Sequence, residues 1–371
     1  MIPSDSYRIP ELEEYIRQGE PSKRERSLIW QTAIGLQQVD GLHVSDYLLQ
    51  TAKQHIEDEI SIGKAKTLID SYYQSEQRRS HSESEDTEEA DKVSARIAEL
   101  LAEKSFTFSP TQLIGIHRHL FQGIYKIAGK IRTYNITKKE WVLCGDTVYY
   151  ASADMIVETL NYDFAQEKTF DYSAITLDEA IKHLSQFCSN IWQIHPFGEG
   201  NTRTTAVFMI KYLRSLGFVV DNEIFAANSC YFRNALVRAN YTNVVRGISY
   251  ETTFLERFFR NMLLNENNVL LNREMHLDWS KSADQLPQSA IQSAAQSAKN
   301  TDKLPPKCKN CTLGELAVLR IIQQNPSATQ KQIAEQIGKS ERTVKTLTVR
   351  LTEKEIIIRR NGKRNGYWEI L

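Results

Sequence analysis

The sequence predicts a mainly α protein: a helical bundle interrupted once by a β-hairpin flap, followed by a small C-terminal unit with its own hairpin. Three observations carry this. Apolar residues recur at steps of three and four through most of the chain, the period of a helix with one buried face. Only Thr133–Ala151 breaks that rhythm, with Trp141-Val142-Leu143 and Thr147-Val148-Tyr149-Tyr150 flanking the turn-prone Cys144-Gly145-Asp146. The last sixty residues repeat short capped helices and then two β-rich runs around Asn361-Gly362.

Length and charge set the frame. The 371 residues suffice for two or three domains, and 46 Lys+Arg balance 46 Asp+Glu, so any basic surface is local. No apolar run is long enough to cross a bilayer, and Met1-Ile2-Pro3-Ser4-Asp5 lacks a leader pattern. A cytoplasmic protein without membrane contact is expected. Five cysteines do not make a disulfide framework. Cys308-Lys309-Asn310-Cys311 is half a zinc ligand set, with His276 the one other candidate nearby, and a plain structural reading is preferred.

In chain order, residues 1–74 read as an N-terminal helical region, with apolar faces over Ser27–Gln37, Val44–Ile60 and Ser61–Tyr73. Ser75–Asp91, polar and acidic, reads as a solvated loop. Residues 92–270 form the main domain. Within it Ser109-Pro110 caps a helix carrying His117 and His119, both read as structural. Further helices are expected over Ala153–Gln166, Leu177–Ile194, Glu223–Tyr241 and Thr252–Leu264. Residues 278–311, rich in Ser, Gln and Ala, form a linker.

Between two apolar helical faces lies Gln193-Ile194-His195-Pro196-Phe197-Gly198-Glu199-Gly200-Asn201-Thr202-Arg203. Glycines let backbone N–H groups converge on an anion, and the helix that follows adds unpaired donors. Arg203 brings a fork of charged donors, Glu199 an oxygen ligand for Mg²⁺, and His195 a base that titrates near neutrality. These residue types together suit phosphate chemistry.

The stretch resembles the His-Pro-Phe-x-(Asp/Glu)-Gly-Asn-x-Arg signature of the Fic family, and Ala128-Gly129-Lys130-Ile131-Arg132 resembles the stretch those domains carry before their flap. The resemblance implies transfer of AMP from ATP, with Mg²⁺, onto a hydroxyl of a target protein. His195 would be the base and Glu199 the metal ligand. Gly198, Gly200, Asn201, Thr202 and Arg203 would bind the nucleotide phosphates. The flap, 140–151, would hold the target by strand addition. The helix after the signature would line the base, with Tyr231, Asn234 or Arg238 as candidates. Two departures stand out: Thr202 replaces a usual Gly, and Ala206 replaces a second Arg that would anchor the far phosphate. Either another cation such as Arg238 substitutes, or the nucleotide differs, or activity is low. For the family's inhibitory Glu the preferred match is Glu57, within Lys53–Asp58; Thr252–Glu256 is a partial match.

Residues 312–371 resemble a winged helix-turn-helix. Eleven Lys/Arg against six Asp/Glu give this unit a net charge of about +5, and residues 340–364 carry Arg342, Lys345, Arg350, Arg359, Arg360, Lys363 and Arg364 toward a possible duplex. A competing reading is a DNA-binding regulator whose Fic domain is inactive, uses another nucleotide or removes AMP.

Overall fold

The computed structural model describes residues 9–74, 85–172, 175–218, 220, 222–277, 311–361 and 366–371. Four helices come first: α1 (Pro10–Gln18), α2 (Pro21–Gly35), α3 (Asp46–Ile56) and α4 (Ile62–Gln74). A 3₁₀ turn, Leu36–Asp40, ends α2 and stops at Gly41, whose φ of 71° reverses the chain. The main body continues through α5 (Glu85–Ala102), α6 (Pro110–Phe121), α7 (Ile156–Thr169), α8 (Leu177–Ile194), α9 (Asn201–Ser215), α10 (Asn222–Ala239), α11 (Thr253–Leu264) and the single turn α12 (Asn272–Met275).

Local chemistry sets these boundaries. Ser109 Oγ accepts the Gln112 N–H, and Pro110 occupies the first turn of α6, where its missing donor costs nothing. Thr176 and Glu179 form a reciprocal capping box that starts α8. Every residue of α9 from Asn201 to Leu213 is buried. This helix is therefore the axis of the bundle, with α5, α6 and α8 packed around it. Phe106, Phe108, Phe164, Phe187, Phe208 and Tyr212 form one aromatic cluster beside it, ring centroids 4.5 to 6.4 Å apart. One apolar core runs from Ile9 and Leu12 through to Leu270 and Met275.

Two expectations are corrected. The acidic stretch does not stay a solvated loop: residues 75–84 lie outside the described residues, but α5 starts at Glu85. Asp91 is fully buried, accepting bonds from Ser45 N (2.9 Å), Ser45 Oγ (2.5 Å) and Tyr73 Oη (2.8 Å). Acidic residues near a helix N-terminus suit its dipole, and tertiary partners replace the lost water. The stretch before α7 is hairpin-shaped without a strand ladder. A 3₁₀ turn spans Trp141–Leu143, Cys144 and Gly145 take positive φ, and the arms meet through Glu140 N–H to Asp146 O (2.9 Å) and Lys138 N–H to Thr147 Oγ1 (3.3 Å). Its β-favouring residues are spent on packing, since Val142, Leu143 and Val148 are buried.

The C-terminal unit comprises α13 (Leu313–Gln324), α14 (Gln330–Ile337), α15 (Glu341–Glu353) and an antiparallel pair, β1 (Ile357–Arg360) with β2 (Tyr367–Ile370), in register Ile357–Ile370. Capping boxes at Thr312/Glu315 and Thr329/Gln332 and an N-cap at Ser340 start its helices. It has a second core built on Val318, Leu319, Ile333, Val344, Leu351 and Trp368, while Leu313 and Leu316 of the same α13 belong to the main core. Buried Cys311 joins the smaller core; Cys308 lies outside the described residues. No described helix is long and apolar enough to cross a membrane.

Candidate active site

Helix α8 stops at His195, which takes a left-handed conformation (φ 49°, ψ 59°), and Pro196 prevents the helix from resuming. The loop that follows is held from within by Asn201. Its Oδ1 accepts the Phe197 N–H (3.0 Å) and its Nδ2 donates to the Phe197 carbonyl (2.8 Å), so one side chain clamps both ends of a residue. Gly200 has φ 75°, and a methyl there would meet the Phe121 ring at 2.3 Å. At Gly198 a methyl would meet Tyr134 Oη at 2.7 Å and Ile127 at 2.8 Å. Gly200 is required by space and by conformation, whereas at Gly198 a side chain would have to displace the exposed ends of Tyr134 and Ile127. Thr202 turns its hydroxyl away from the loop to accept the Trp192 indole N–H (3.0 Å).

Two residues from outside the signature fix this loop. His117 is fully buried and stacked on Phe197 at 3.7 Å. Its Nδ1 accepts the Gly129 N–H (2.8 Å), so Nε2 carries the proton and donates to the Glu199 carbonyl (3.0 Å). Burial pushes its pKa down to about 4, with the Glu199 carbonyl bond opposing and Arg203 assisting. Between pH 6.5 and about 4 the unfolded chain binds this proton and the folded chain does not. Stability is therefore complete above pH 6.5 and falls as pH drops through that window, by about 3 kcal/mol in all. Urea melts from pH 7 to 4.5 should show the decline flattened in His117→Gln; an equal slope in both proteins would refute it. Arg132 is the second fixture. It donates through Nε to the His195 carbonyl (2.8 Å) and through its terminal nitrogens to the carbonyls of Tyr134 (2.6 Å), Ile194 (3.3 Å) and Ala151.

His195 itself is buried, with the Tyr150 ring at 4.2 Å and Trp192 edge-on at 5.2 Å. Nδ1 lies 3.2 Å from the Trp192 carbonyl, a partner that places the proton there and leaves Nε2 to accept another. Burial, and then the nearby charge of Lys138, hold its pKa well below the ordinary value. The ring is thus a neutral base at neutral pH. Glu199 stands at the open side of the loop, its carboxylate more than half exposed and 2.7 Å from Lys138 Nζ. Beside them Glu140, almost fully buried, pairs with Arg233 (2.9 Å) and lies 3.5 Å from Tyr150 Oη. Burial raises the Glu140 pKa against the pull of Arg233.

Arg203 is the least expected element. Its side chain is 1 % exposed, lies over the Phe121 ring (4.8 Å), and is hydrogen-bonded through both terminal nitrogens. Nη1 donates to Gln37 Oε1 (2.9 Å) and Nη2 to Glu89 Oε1 (2.6 Å); Nε lies 2.9 Å from Asp40 Oδ2, an ion pair off the line of a hydrogen bond. Burial opposes the charge, yet Asp40 and Glu89 hold the guanidinium above its ordinary pKa. The N-terminal region does reach the signature, through Gln37 and Asp40 rather than Glu57. Glu57 sits on Lys23, with Tyr15 as a second partner.

The signature residues His195, Gly198, Glu199, Gly200, Asn201, Thr202 and Arg203 thus converge on one loop. Asn234 is committed elsewhere, its Nδ2 donating to Asn272 Oδ1 (2.8 Å) in the seam between α10 and α12. Arg238 is buried, and the charge of Glu251 partly offsets the effect of that burial. A cavity of about 680 Å³ among Arg24, Leu28, Leu101, Phe106 and Arg214 contains none of the signature residues. A smaller one, about 370 Å³, lies between Tyr149–Ala151 and the end of α8 at Gln193–Ile194, next to His195. Sequence reasoning missed Lys138, Glu140, Arg233 and the pair Asp40/Glu89. Single charged residues in polar stretches carry no local signal of their partners.

In the C-terminal unit Arg342, Lys345 and Arg350 are exposed along α15 while Val344, Leu347 and Leu351 face the core. Arg359 lies over the Trp368 ring (4.7 Å) and Arg360 pairs with Glu369 (2.5 Å), so both wing arginines have internal partners. Lys363 and Arg364 lie outside the described residues.

Residues 107–213 match the model of the Fic/DOC family, and residues 315–358 match that of the winged helix-turn-helix DNA-binding family. The chain is 34 % identical over 110 residues to the probable protein adenylyltransferase y4lH of Sinorhizobium fredii, covering 29 % of this chain and 54 % of that protein. It is 24 % identical over 246 residues to the protein adenylyltransferase VbhT of Bartonella schoenbuchensis, covering 60 % of this chain and 48 % of that protein. The chain spans about half the length of each of these curated relatives. It carries a Fic/DOC domain followed by a winged helix-turn-helix domain.

Proposed function

We propose that this chain, through its Fic/DOC domain, transfers AMP from ATP to a hydroxyl side chain of a target protein. The observation that carries the reading is His195: a neutral imidazole, with Nε2 left to accept a proton, at the mouth of a rigid loop closed by Asn201, Gly200 and His117. The target oxygen attacks the α-phosphorus as its proton passes to His195 Nε2. A new oxygen–phosphorus bond forms, the bond from the α-phosphorus to the bridging oxygen breaks, and pyrophosphate leaves. Backbone donors at Gly198–Thr202 and the start of α9 receive the phosphate charge. Two curated relatives are named protein adenylyltransferases, which supports the same chemistry.

The residues present fit Mg²⁺. That ion is commonly held by one or two carboxylates together with substrate phosphates, and Glu199 is a water-accessible carboxylate beside the anion seat. Among the described residues no three His, Cys, Asp or Glu side chains converge into a protein-only cage. Bound there, the ion would neutralise phosphate charge. The smaller cavity beside Tyr149–Ala151 supports docking of an extended target segment along 140–151.

Incubation with α-³²P-ATP and Mg²⁺ tests the reading. Label should pass to protein, and His195→Ala should lower the rate about 10²- to 10⁴-fold, the usual contribution of a positioned base. Undiminished labelling in the variant, or none by the wild type from any nucleotide, would defeat it.

A second reading, a DNA-binding regulator, draws on the sealed Arg203 and the exposed cations of α15. In duplex titrations Arg342→Ala and Lys345→Ala should each weaken binding and flatten its salt dependence by about one phosphate contact. Identical salt slopes would remove α15 from the interface.

A further inference from the structure

The anion seat lacks the charge its chemistry calls for. Ala206 is fully buried in the core, so the first turns of α9 offer no arginine besides Arg203, which already faces two carboxylates; Arg214 stands at the far end of the helix. Two other cations border His195 and remain open to water. Lys138, about a quarter exposed, rests on Glu199 (2.7 Å). Arg233, also about a quarter exposed, rests on Glu140 (2.9 Å), which neighbours Tyr150, whose ring lies tilted against His195 at 4.2 Å. Arg233 therefore reaches His195 through two intervening residues, Glu140 and Tyr150, although it arrives from α10 and Lys138 from the arm before the flap.

We propose that Arg233, together with Lys138, grips the β- and γ-phosphates of the bound nucleotide, supplying from α10 and the flap the charge that α9 lacks at Ala206. This rests on the adenylyl-transfer reading. The chemistry is suited to it: a guanidinium presents a planar fork that matches two phosphate oxygens. Lys138 is held by the same carboxylate that a metal ion would engage. A divalent cation on Glu199 would release the ammonium toward the phosphates, so metal and nucleotide should bind cooperatively.

Calorimetric titration of the full chain with ATP, AMP and adenosine, with and without Mg²⁺, provides the test. Arg233→Ala should weaken ATP about ten- to hundredfold, the scale of one charge-assisted hydrogen bond, and leave adenosine unchanged. Arg233→Lys keeps a positive partner for buried Glu140 and should recover part of the loss, which also covers a poorly folded alanine variant. Lys138→Ala should reduce the gain in ATP affinity that Mg²⁺ confers. Equal loss for ATP and adenosine in both Arg233 variants would mark a purely structural residue and overturn the proposal, as would unchanged ATP affinity. No ATP binding by the wild type would overturn this proposal and adenylyl transfer together. ATP binding by the wild type with the same affinity in Arg233→Ala would overturn this proposal alone.

Discussion

Removing both carboxylates from Arg203, as in Asp40→Asn/Glu89→Gln, is expected to lower folding stability by about 3–5 kcal/mol and at the same time to tighten nucleotide binding. The two effects share one cause. A guanidinium that is 1 % exposed retains its charge because Asp40, Glu89 and Gln37 surround it. Without them it is a buried, unpaired cation that destabilises the fold and attracts any anion that arrives. Glu89, the less exposed acid and a hydrogen-bond acceptor at 2.6 Å, should account for the larger share. Asp40 is more than a third exposed, so water already screens much of its contribution. Urea melts measure the first effect and ATP titrations the second. Lower stability without a gain in ATP affinity would mean that Asp40 and Glu89 support the fold and do not guard the anion seat. In that event Arg203 is a structural ion pair, and the phosphates are held without it.

Arg132→Ala is expected to lower the transfer rate about 100-fold, the scale of an ångström's misplacement at a reacting centre. Arg132 donates to the carbonyls of His195, Ile194, Tyr134 and Ala151, and so joins the end of α8 to both ends of the flap. Deleting it orphans the buried carbonyls of His195 and Ile194, each costing about 1–3 kcal/mol, and so loosens the backbone that carries His195. Arg132→Lys should not restore activity, because one ammonium cannot span four acceptors fixed in different directions. Single-turnover labelling at saturating ATP would separate this loss from weaker binding. A variant that keeps the wild-type single-turnover rate would show that the flap needs no such tie.

The legible part of this protein is local chemistry. Ser109-Pro110 and Ser340 announce helix starts by side-chain acceptors that the backbone then uses. The loop from His195 to Arg203 was legible because its residue types sit within one turn. The partners of that loop were not. Gln37 and Arg203 are 166 residues apart, Glu89 and Arg203 are 114 apart, and Lys138 and Glu199 are 61 apart. In sequence each is one charged or amide residue among many, and only the packing of α2, α5 and the flap against α9 gives it a role. The acidic run was misread for the same reason: Glu89 and Asp91 look solvated until Arg203, Ser45 and Tyr73 are brought to them. The flap failed differently. Its residues have β propensity, but Cys144 and Gly145 bend it so tightly that burial of Val142 and Leu143 replaced strand pairing.

Helix α13 is a shared wall. Leu313 and Leu316 lie in the main core, Val318 and Leu319 in the smaller one, and the Leu177 N–H reaches across to the Cys311 carbonyl (2.9 Å) at the start of α8. Helix α8 is the one that ends at His195. If a duplex bound to the C-terminal unit shifted α13, the strain would reach the foot of α8, because closely packed interiors pass on strain instead of absorbing it. By reciprocity, the factor by which a duplex changes nucleotide affinity is the factor by which nucleotide changes duplex affinity. On the proposed function, the nucleotide loop and the C-terminal unit would then act as one variable, each reporting on the occupancy of the other.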